Sequence, residues 1–217
     1  MQEEIKNNVL KSGTSILGIV CKDGVVMASD RRATAGNLVM SKNTRKAVKL
    51  NDYLVVSGTG MASDIDFLHK IVAAELRLKE LKSKQRPTVK EAANLIATLS
   101  YRNIRQFSTI PAIAGTLVAG YNEDGTSELY TIEPAGSIAK VDDFDANFSS
   151  GMPFIIGLLE RQYKKEITVK QGVELASEAI KSSTQRDIGS GNGIDIFTIT
   201  KDGIKQVVEQ TIEPNFK

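Results

Sequence analysis

The sequence predicts an α/β protein in which two antiparallel β-sheets lie between two layers of helices. Apolar, β-branched runs are joined by short polar turns of the kind that close β-hairpins, as in residues 14–20 and 25–29 around the turn at 21–24. Segments with apolar residues every three or four positions interrupt these runs in two separate pairs. Hairpins give antiparallel sheets, and two pairs of helices fit two outer faces. We therefore expect a four-layer αββα sandwich.

Three further hairpins have the same composition as the first. Turn residues at 51–52, 122–125 and 201–203 each separate two strand-like runs. These runs cover residues 46–50 and 53–58, 112–121 and 127–132, and 194–200 and 204–211. Residues 140–148 show no clear pattern, so no element is predicted there.

The helices are predicted from spacing and from their ends. The first carries a stripe of Ile65, Leu68, Val72 and Leu76, with Ser63 or Asp64 as its cap. Pro87 ends this segment, and Thr88 is a suitable cap for the second helix. The later pair is marked by apolar residues at 154, 158 and 159 and at 173, 176 and 180.

Composition excludes several classes of protein. The chain has 217 residues, 41% of them hydrophobic, which fits one domain with a sizeable core. Its 28 Lys and Arg nearly balance 26 Asp and Glu, so no nucleic-acid partner is expected. No segment reaches the roughly 20 apolar residues of a membrane helix, and residues 1–13 lack a signal peptide's apolar region. With Cys21 as the single cysteine, we expect a cytoplasmic protein.

The familiar catalytic groups are scarce. His69 is the only histidine, and its helical position favours a surface or packing role. Cys21 lies at a strand end where a small hydrophobic residue would serve equally well. The glycine-containing stretch at 58–64 lacks the Gly-Lys-Ser/Thr of a phosphate-binding loop. We interpret it as a tight turn whose backbone N–H groups face a site, with no metal or cofactor expected.

Several motifs together resemble a known family. They are G-T-S-I-L-G at 13–18, K-D-G-V-V-M-A-S-D-R-R-A-T at 22–34, R-K at 45–46, G-T-G at 58–60, S-G-M-P-F at 150–154 and R-D-I-G-S-G-N-G-I-D at 186–195. In this order they resemble the β subunits of archaeal and eukaryotic proteasomes, which are N-terminal nucleophile hydrolases. The resemblance covers almost the whole chain after Gly13. Ser15 and Ser149 depart from it, because the family often has threonine and glycine there.

The resemblance implies a threonine endopeptidase. Residues 1–13 are then a propeptide, cut off by the chain itself between Gly13 and Thr14, and residues 14–217 are a single catalytic domain. Thr14 is the nucleophile, and its freed α-amino group, with a reference pKa of roughly 7.7 to 8.0, can act as the base. The other implied site residues are Asp30 and Lys46, an oxyanion donor at Gly60, and supporting residues Ser150, Asp187 and Ser190.

The resemblance also implies a substrate pocket and partners. Gly58 forms the floor of the pocket, Asp66 lies nearby, and the walls are Ala33, Thr44, Val48 and Ala62. Small side chains leave such a pocket roomy enough for large apolar residues. Expected partners are proteasome α subunits and other β subunits in stacked heptameric rings, unfolded polypeptides as substrates, and an ATPase ring that acts through the α rings.

Other interpretations remain open at this level. Taken singly, Asp30 and Lys46 could form an ordinary surface ion pair and Thr14 could be an edge-strand residue. The chain could be a catalytically latent β-type ring subunit with a role in assembly. An α-type subunit fits less well, because such subunits carry an extra helix before the first strand and the polar residues 1–13 do not resemble one. Another N-terminal nucleophile enzyme also fits less well, because the late motifs around Ser150 and Asp187 to Ser190 resemble the proteasome pattern.

Overall fold

Twelve strands and four helices occur in residues 13–109 and 111–211, the part of the chain that the computed structural model describes. The helices are α1 Ala62–Ser83, α2 Val89–Arg105, α3 Met152–Gln162 and α4 Val169–Thr184. The strands are β1 Ile16–Cys21, β2 Gly24–Asp30, β3 Ala33–Ala35, β4 Leu38–Ser41, β5 Ala47–Lys49, β6 Leu54–Gly60, β7 Ala114–Tyr121, β8 Ser127–Ile132, β9 Ile138–Val141, β10 Phe144–Asp145, β11 Gly193–Thr200 and β12 Gly203–Thr211.

The strands form two five-stranded antiparallel sheets and one short hairpin. The first sheet has the order β10-β1-β2-β11-β12, and the second has the order β5-β6-β7-β8-β9. Strands β3 and β4 pair only with each other among the described residues. In the first sheet Ile16 pairs with Ser29 and Cys21 pairs with Gly24, so the start of β1 lies beside the end of β2.

Three apolar clusters separate four layers. One lies between the first sheet and helices α3 and α4, and a second lies between the other sheet and helices α1 and α2. The third fills the space between the two sheets and includes Ile16, Met27, Val55, Leu117 and Phe197. The predicted αββα sandwich with two central antiparallel sheets is therefore confirmed.

Strand β1 shows why the central strands are apolar on both faces. Its Leu17 and Ile19 belong to the cluster under α3 and α4, whereas Ile16 belongs to the cluster between the sheets. Successive side chains of a strand point to opposite faces. Because both faces of β1 are covered, its sequence is a continuous apolar run instead of an alternating one.

The predicted helix cap is confirmed for α2 and is wrong for α1. Thr88 caps α2 as predicted, in a capping box with Glu91. The predicted cap of α1 by Ser63 or Asp64 is wrong, because α1 begins at Ala62 after Met61, which makes no side-chain cap. The Asp64 carboxylate instead accepts a hydrogen bond from Ile113 N at 3.0 Å, so a contact with the residue before β7 replaces the local cap.

The unpatterned stretch at 140–148 contains a link between the two sheets. Asn147 follows edge strand β10 of the first sheet and is 2% exposed. Its Nδ2 donates to Ile132 O and Thr131 Oγ1 at 2.9 Å each, and its Oδ1 accepts from Thr59 Oγ1 at 3.0 Å. All three partners belong to the second sheet. One polar side chain thus links the two sheets, and a search for apolar periodicity does not detect such a link.

We predict that Asn147→Ala lowers the free energy of unfolding by about 2 kcal/mol, because it leaves buried groups of the second sheet without partners. Urea unfolding of the purified subunit, followed by circular dichroism, measures this. The matched control is Asn94→Ala, which removes an exposed amide on α2 and should change stability by less than about 0.5 kcal/mol. Equal effects of the two changes would contradict the proposed link.

Candidate active site

The hairpin of β1 and β2 brings Thr14 and Asp30 to the same edge of the first sheet. Asp30 N donates to Ser15 O at 2.9 Å, which extends the pairing of the two strands to their ends. Thr14 is 6% exposed and Asp30 is fully buried. The two residues are 16 apart in sequence, and the tight turn at 21–24 makes them neighbours.

The buried Asp30 carboxylate is held by four donors. Its Oδ1 accepts from Ser15 N at 2.8 Å and from Lys46 Nζ at 2.7 Å. Its Oδ2 accepts from Arg32 N at 2.9 Å and from Gly191 N at 3.0 Å. A buried charge is tolerated when it is paired and hydrogen-bonded in this way. Asp30 and Lys46 are therefore not the surface ion pair considered above.

Lys46 joins this carboxylate to the peptide bond before Thr14. Its side chain is 8% exposed, and Nζ also donates to Gly13 O at 2.9 Å. Burial lowers the pKa of the Lys46 ammonium, and the charge of Asp30 opposes this shift. The positively charged ammonium of Lys46 thus lies against the carbonyl oxygen of Gly13.

The Thr14 hydroxyl lies at the same carbonyl. Residues 13 and 14 are joined by a peptide bond, and Thr14 Oγ1 donates to Gly13 O at 2.7 Å. A side chain at residue 13 would overlap the Cα of Gly189, so only glycine fits this close approach. Hydroxyl, lysine and peptide carbonyl are thus in direct contact.

Three more of the expected residues form a hydrogen-bonded chain to the nitrogen of Thr14. Thr14 N donates to Ser150 Oγ at 2.9 Å, and Ser150 Oγ donates to Asp187 Oδ2 at 2.6 Å. Ser190 Oγ also donates to Asp187 Oδ2. The chain continues to Ser15, whose Oγ lies 2.7 Å from Ser190 Oγ. Ser15 was noted in the sequence only as a departure from the family pattern, yet it lies inside this network.

A cavity of about 440 Å³ opens beside Thr14 and Lys46. All six residues expected to form the substrate pocket line it, together with Gly60 at the end of β6. These six are Ala33, Thr44, Val48, Gly58, Ala62 and Asp66. Gly60, the expected oxyanion donor, has φ +113°, a conformation that favours glycine. Pocket and candidate nucleophile therefore share one space.

Sequence reasoning missed four residues of the cavity wall, namely Arg45, Ser63, Ile65 and His69. His69 is 8% exposed, and burial lowers its pKa to about 4, so its imidazole is neutral near pH 7. The expected packing role fits this burial, but its place at the cavity was not foreseen. The spacing along α1 is the signal that could have found it, because residues 62, 65, 66 and 69 share one helix face.

Cys21 does not take part in this site. Burial raises the pKa of its thiol to about 12, which disfavours the thiolate that a nucleophile needs. No group of three potential ligands that could hold a metal ion occurs within residues 13–109 and 111–211. None of the helices in the described ranges is long and apolar enough to cross a membrane.

Comparison with known proteins identifies the family. The family model described as proteasome subunit matches residues 10–199. The chain belongs to the proteasome subunit family. It is 40% identical to the proteasome subunit beta of Nanoarchaeum equitans over 194 residues, which cover 89% of this chain and 96% of that protein. It is 38% identical to the proteasome subunit beta of Archaeoglobus profundus over 213 residues, which cover 98% and 96% of the two chains.

A further archaeal relative gives the same picture. Proteasome subunit beta 1 of Thermococcus onnurineus is 38% identical over 205 residues, which cover 94% of this chain and 97% of that protein. The motifs quoted from the sequence thus belong to a proteasome subunit, as their combined resemblance implied. The αββα sandwich described above is the fold of this proteasome chain.

Proposed function

We propose that this chain is a catalytic β-type subunit of a proteasome core particle, a threonine endopeptidase that cuts unfolded polypeptides inside a closed chamber. One observation carries the proposal: the Thr14 hydroxyl and the Lys46 ammonium both contact the carbonyl oxygen of Gly13, beside a cavity lined by the expected pocket residues. In this proposal residues 1–13 are a propeptide and residues 14–217 are the catalytic domain. Residues 1–12 lie outside the described part of the chain.

The first reaction in the proposed mechanism is self-cleavage. Thr14 Oγ1 attacks the carbonyl carbon of Gly13, the new C–O bond forms, and the C–N bond to Thr14 breaks. The hydroxyl proton ends on the Thr14 nitrogen, which becomes an amine. Water then hydrolyses the ester, which restores the hydroxyl and releases Gly13 as a carboxylate. Lys46 stabilises the negative charge that develops on Gly13 O, and the N–H of Gly60 is proposed as a second donor.

The second reaction is peptide hydrolysis by the freed terminus. An amine near its reference pKa can take the proton of the Thr14 hydroxyl, which an amide nitrogen cannot do. Lys46 favours the deprotonated hydroxyl, and Asp30 holds the lysine in place. Ser150, Asp187 and Ser190 orient the nitrogen through the chain described above. The subunit is therefore a zymogen until residues 1–13 are gone.

The proposed partners follow from the relatives, which are named as proteasome β subunits. We infer stacked heptameric rings of this chain or other β subunits with α subunits, an ATPase ring that acts through the α rings, and a cytoplasmic location. Contact between two facing β rings is proposed to complete the site and to trigger self-cleavage. The protease then stays silent until it is enclosed. The alternative is a latent ring subunit, and the first test below separates the two.

We predict that Thr14→Ala abolishes both peptide hydrolysis and removal of residues 1–13, because one hydroxyl performs both reactions. Thr14→Ser keeps a hydroxyl and should retain part of each. Intact-mass spectrometry of the assembled subunit and turnover of a fluorogenic peptide measure the two outcomes. Peptidase activity of Thr14→Ala particles without other active chains would refute the proposal. A wild-type particle that is processed yet inactive would favour the latent subunit.

We predict that Lys46→Ala lowers peptide turnover at least about 100-fold, because it removes a charge aimed at the reacting carbonyl. The particle should stay folded, since Asp30 keeps the backbone N–H donors of Ser15, Arg32 and Gly191. Circular dichroism and gel filtration check the fold. The control is Lys49→Ala, which breaks the exposed pair with Asp52 and should leave turnover unchanged. Normal turnover by Lys46→Ala would refute the assigned role.

The pocket predicts a preference for large residues before the cut bond. Peptides ending in Leu or Tyr should be cleaved about tenfold faster than one ending in Glu, because the cavity is mostly apolar and a carboxylate would lose its water there. Arg should fall between, since Lys70 already pairs with Asp66 at 2.6 Å. In Gly58→Val the new side chain meets Ile65 and should slow Leu and Tyr peptides while sparing Ala. A strict preference for small residues in the unaltered chain would contradict this pocket.

A further inference from the structure

Thr34 contacts the residue whose carbonyl is to be attacked. Gly13 N donates to Thr34 Oγ1 at 2.8 Å, and Thr34 is 9% exposed on strand β3. None of the roles assigned above involves this side chain. Its hydroxyl accepts from Gly13 N, whereas Lys46 Nζ donates to Gly13 O. Gly13 is therefore anchored at its N–H and at its carbonyl oxygen.

Two anchors matter because the residue between them is glycine. Glycine populates more backbone conformations than any other residue, so an unanchored Gly13 could present its carbonyl in many orientations. A hydrogen bond at N and another at O restrict the two backbone dihedrals between those atoms. The Cα of Gly13 also packs closely against Gly189. Holding the reacting groups in one geometry accelerates the attack of Thr14 on the Gly13 carbonyl, because less orientational freedom is lost on reaching the transition state.

The β3–β4 hairpin gives Thr34 its position. Ala33 pairs with Ser41 and Thr34 pairs with Val39, so Met40 is an extra residue on β4 and forms a bulge. Bulges re-aim neighbouring side chains and often occur beside functional sites. Ala33, on the same strand, lines the substrate cavity. The short hairpin thus places two adjacent residues at the site. Ala33 lines the cavity, and Thr34 contacts Gly13, the last residue of the proposed propeptide.

We propose that Thr34 is a positioning residue for removal of residues 1–13, in which its hydroxyl accepts the N–H of Gly13 and fixes the Gly13 carbonyl for attack by Thr14. This inference rests on the proposed function, because it deepens the self-cleavage step. In this role Thr34 forms and breaks no covalent bond. Thr34 acts through the orientation of Gly13 alone.

The test compares Thr34→Val with Thr34→Ser in the full chain, assembled with its partner subunits. Valine keeps the shape and loses the acceptor, whereas serine keeps the acceptor. Intact-mass spectrometry over time gives the rate at which chains lose residues 1–13. Thr34→Val should slow this rate about tenfold, the effect of one lost hydrogen bond, and Thr34→Ser should stay within about twofold of the unaltered chain. If Thr34→Val does not assemble, Thr34→Ala replaces it with the same expectation.

Two controls separate positioning from folding. Thr198→Val changes another strand threonine, 8% exposed, which pairs with Val26 on β2, four residues before Asp30, and should not slow processing. A chain produced to begin at Thr14 and carrying Thr34→Val should hydrolyse peptide, since its nucleophile no longer depends on self-cleavage. Equal slowing by Thr198→Val, or slowing by Thr34→Ser as large as that by Thr34→Val, overturns the proposal.

Failure of this inference can be told apart from failure of the proposed function. Processing of Thr34→Val at the rate of the unaltered chain, together with a complete block in Thr14→Ala, overturns the role of Thr34 and leaves self-cleavage in place. Loss of residues 1–13 from Thr14→Ala overturns self-cleavage itself, and with it the role of Thr34. Slowed processing of Thr34→Val with rescue by Thr34→Ser supports both.

Discussion

Burial of the Asp30 carboxylate is the constraint on which the site depends. A fully buried charge must find donors within the protein, and three of its four donors are backbone N–H groups from Ser15, Arg32 and Gly191. These groups belong to the start of β1, the end of β2 and the loop before β11. The fourth donor, Lys46, precedes β5 of the other sheet. One carboxylate thus fixes where the two sheets meet beside Thr14.

A second buried ion pair supports the same corner. Arg31 follows Asp30 and binds Asp195 in a bidentate manner, with Nε and Nη2 at 2.9 and 2.6 Å from the two carboxylate oxygens. Hydrogen bonding to Asp195 raises the pKa of Arg31, which keeps the pair charged. Arg31 O also accepts from Thr44 N at 2.9 Å, so the segment that carries Thr44 and Lys46 is tied to the first sheet. The loop that carries Lys46 is therefore held to the first sheet by a hydrogen bond of its own backbone.

The sequence predicts the layers well because each central strand is apolar on both faces and each turn has its own residue signature. It misses β3, β4, β9 and β10, which are two to four residues long and bury few of their side chains, so they leave no apolar pattern. Thr14, Asp30, Lys46 and Asp187 were singled out by resemblance, since their separation along the chain carries no information about distance. Neither approach predicts a role for Asn147 or for Thr34, although Thr34 ends the motif at 22–34, because each acts through hydrogen bonds that exist only after the sheets have packed.

The nitrogen of Thr14 imposes an order on the proposed reactions. While it is an amide it donates to Ser150 Oγ, whose own proton can go to Asp187 Oδ2 at 2.6 Å or to Thr14 O at 3.0 Å. An amide has no basic lone pair, and the hydroxyl of Thr14 donates to the carbonyl oxygen of Gly13. After cleavage the same nitrogen can accept the hydroxyl proton, with Ser150 and Asp187 already in place around it. Cleavage also removes Gly13 from the place where Lys46 contacts its carbonyl oxygen. The substrate cavity adjoins this place, so the carbonyl of a substrate can take it. In the proposed mechanism, a site built around its own peptide bond therefore becomes a site for other chains without moving a catalytic side chain.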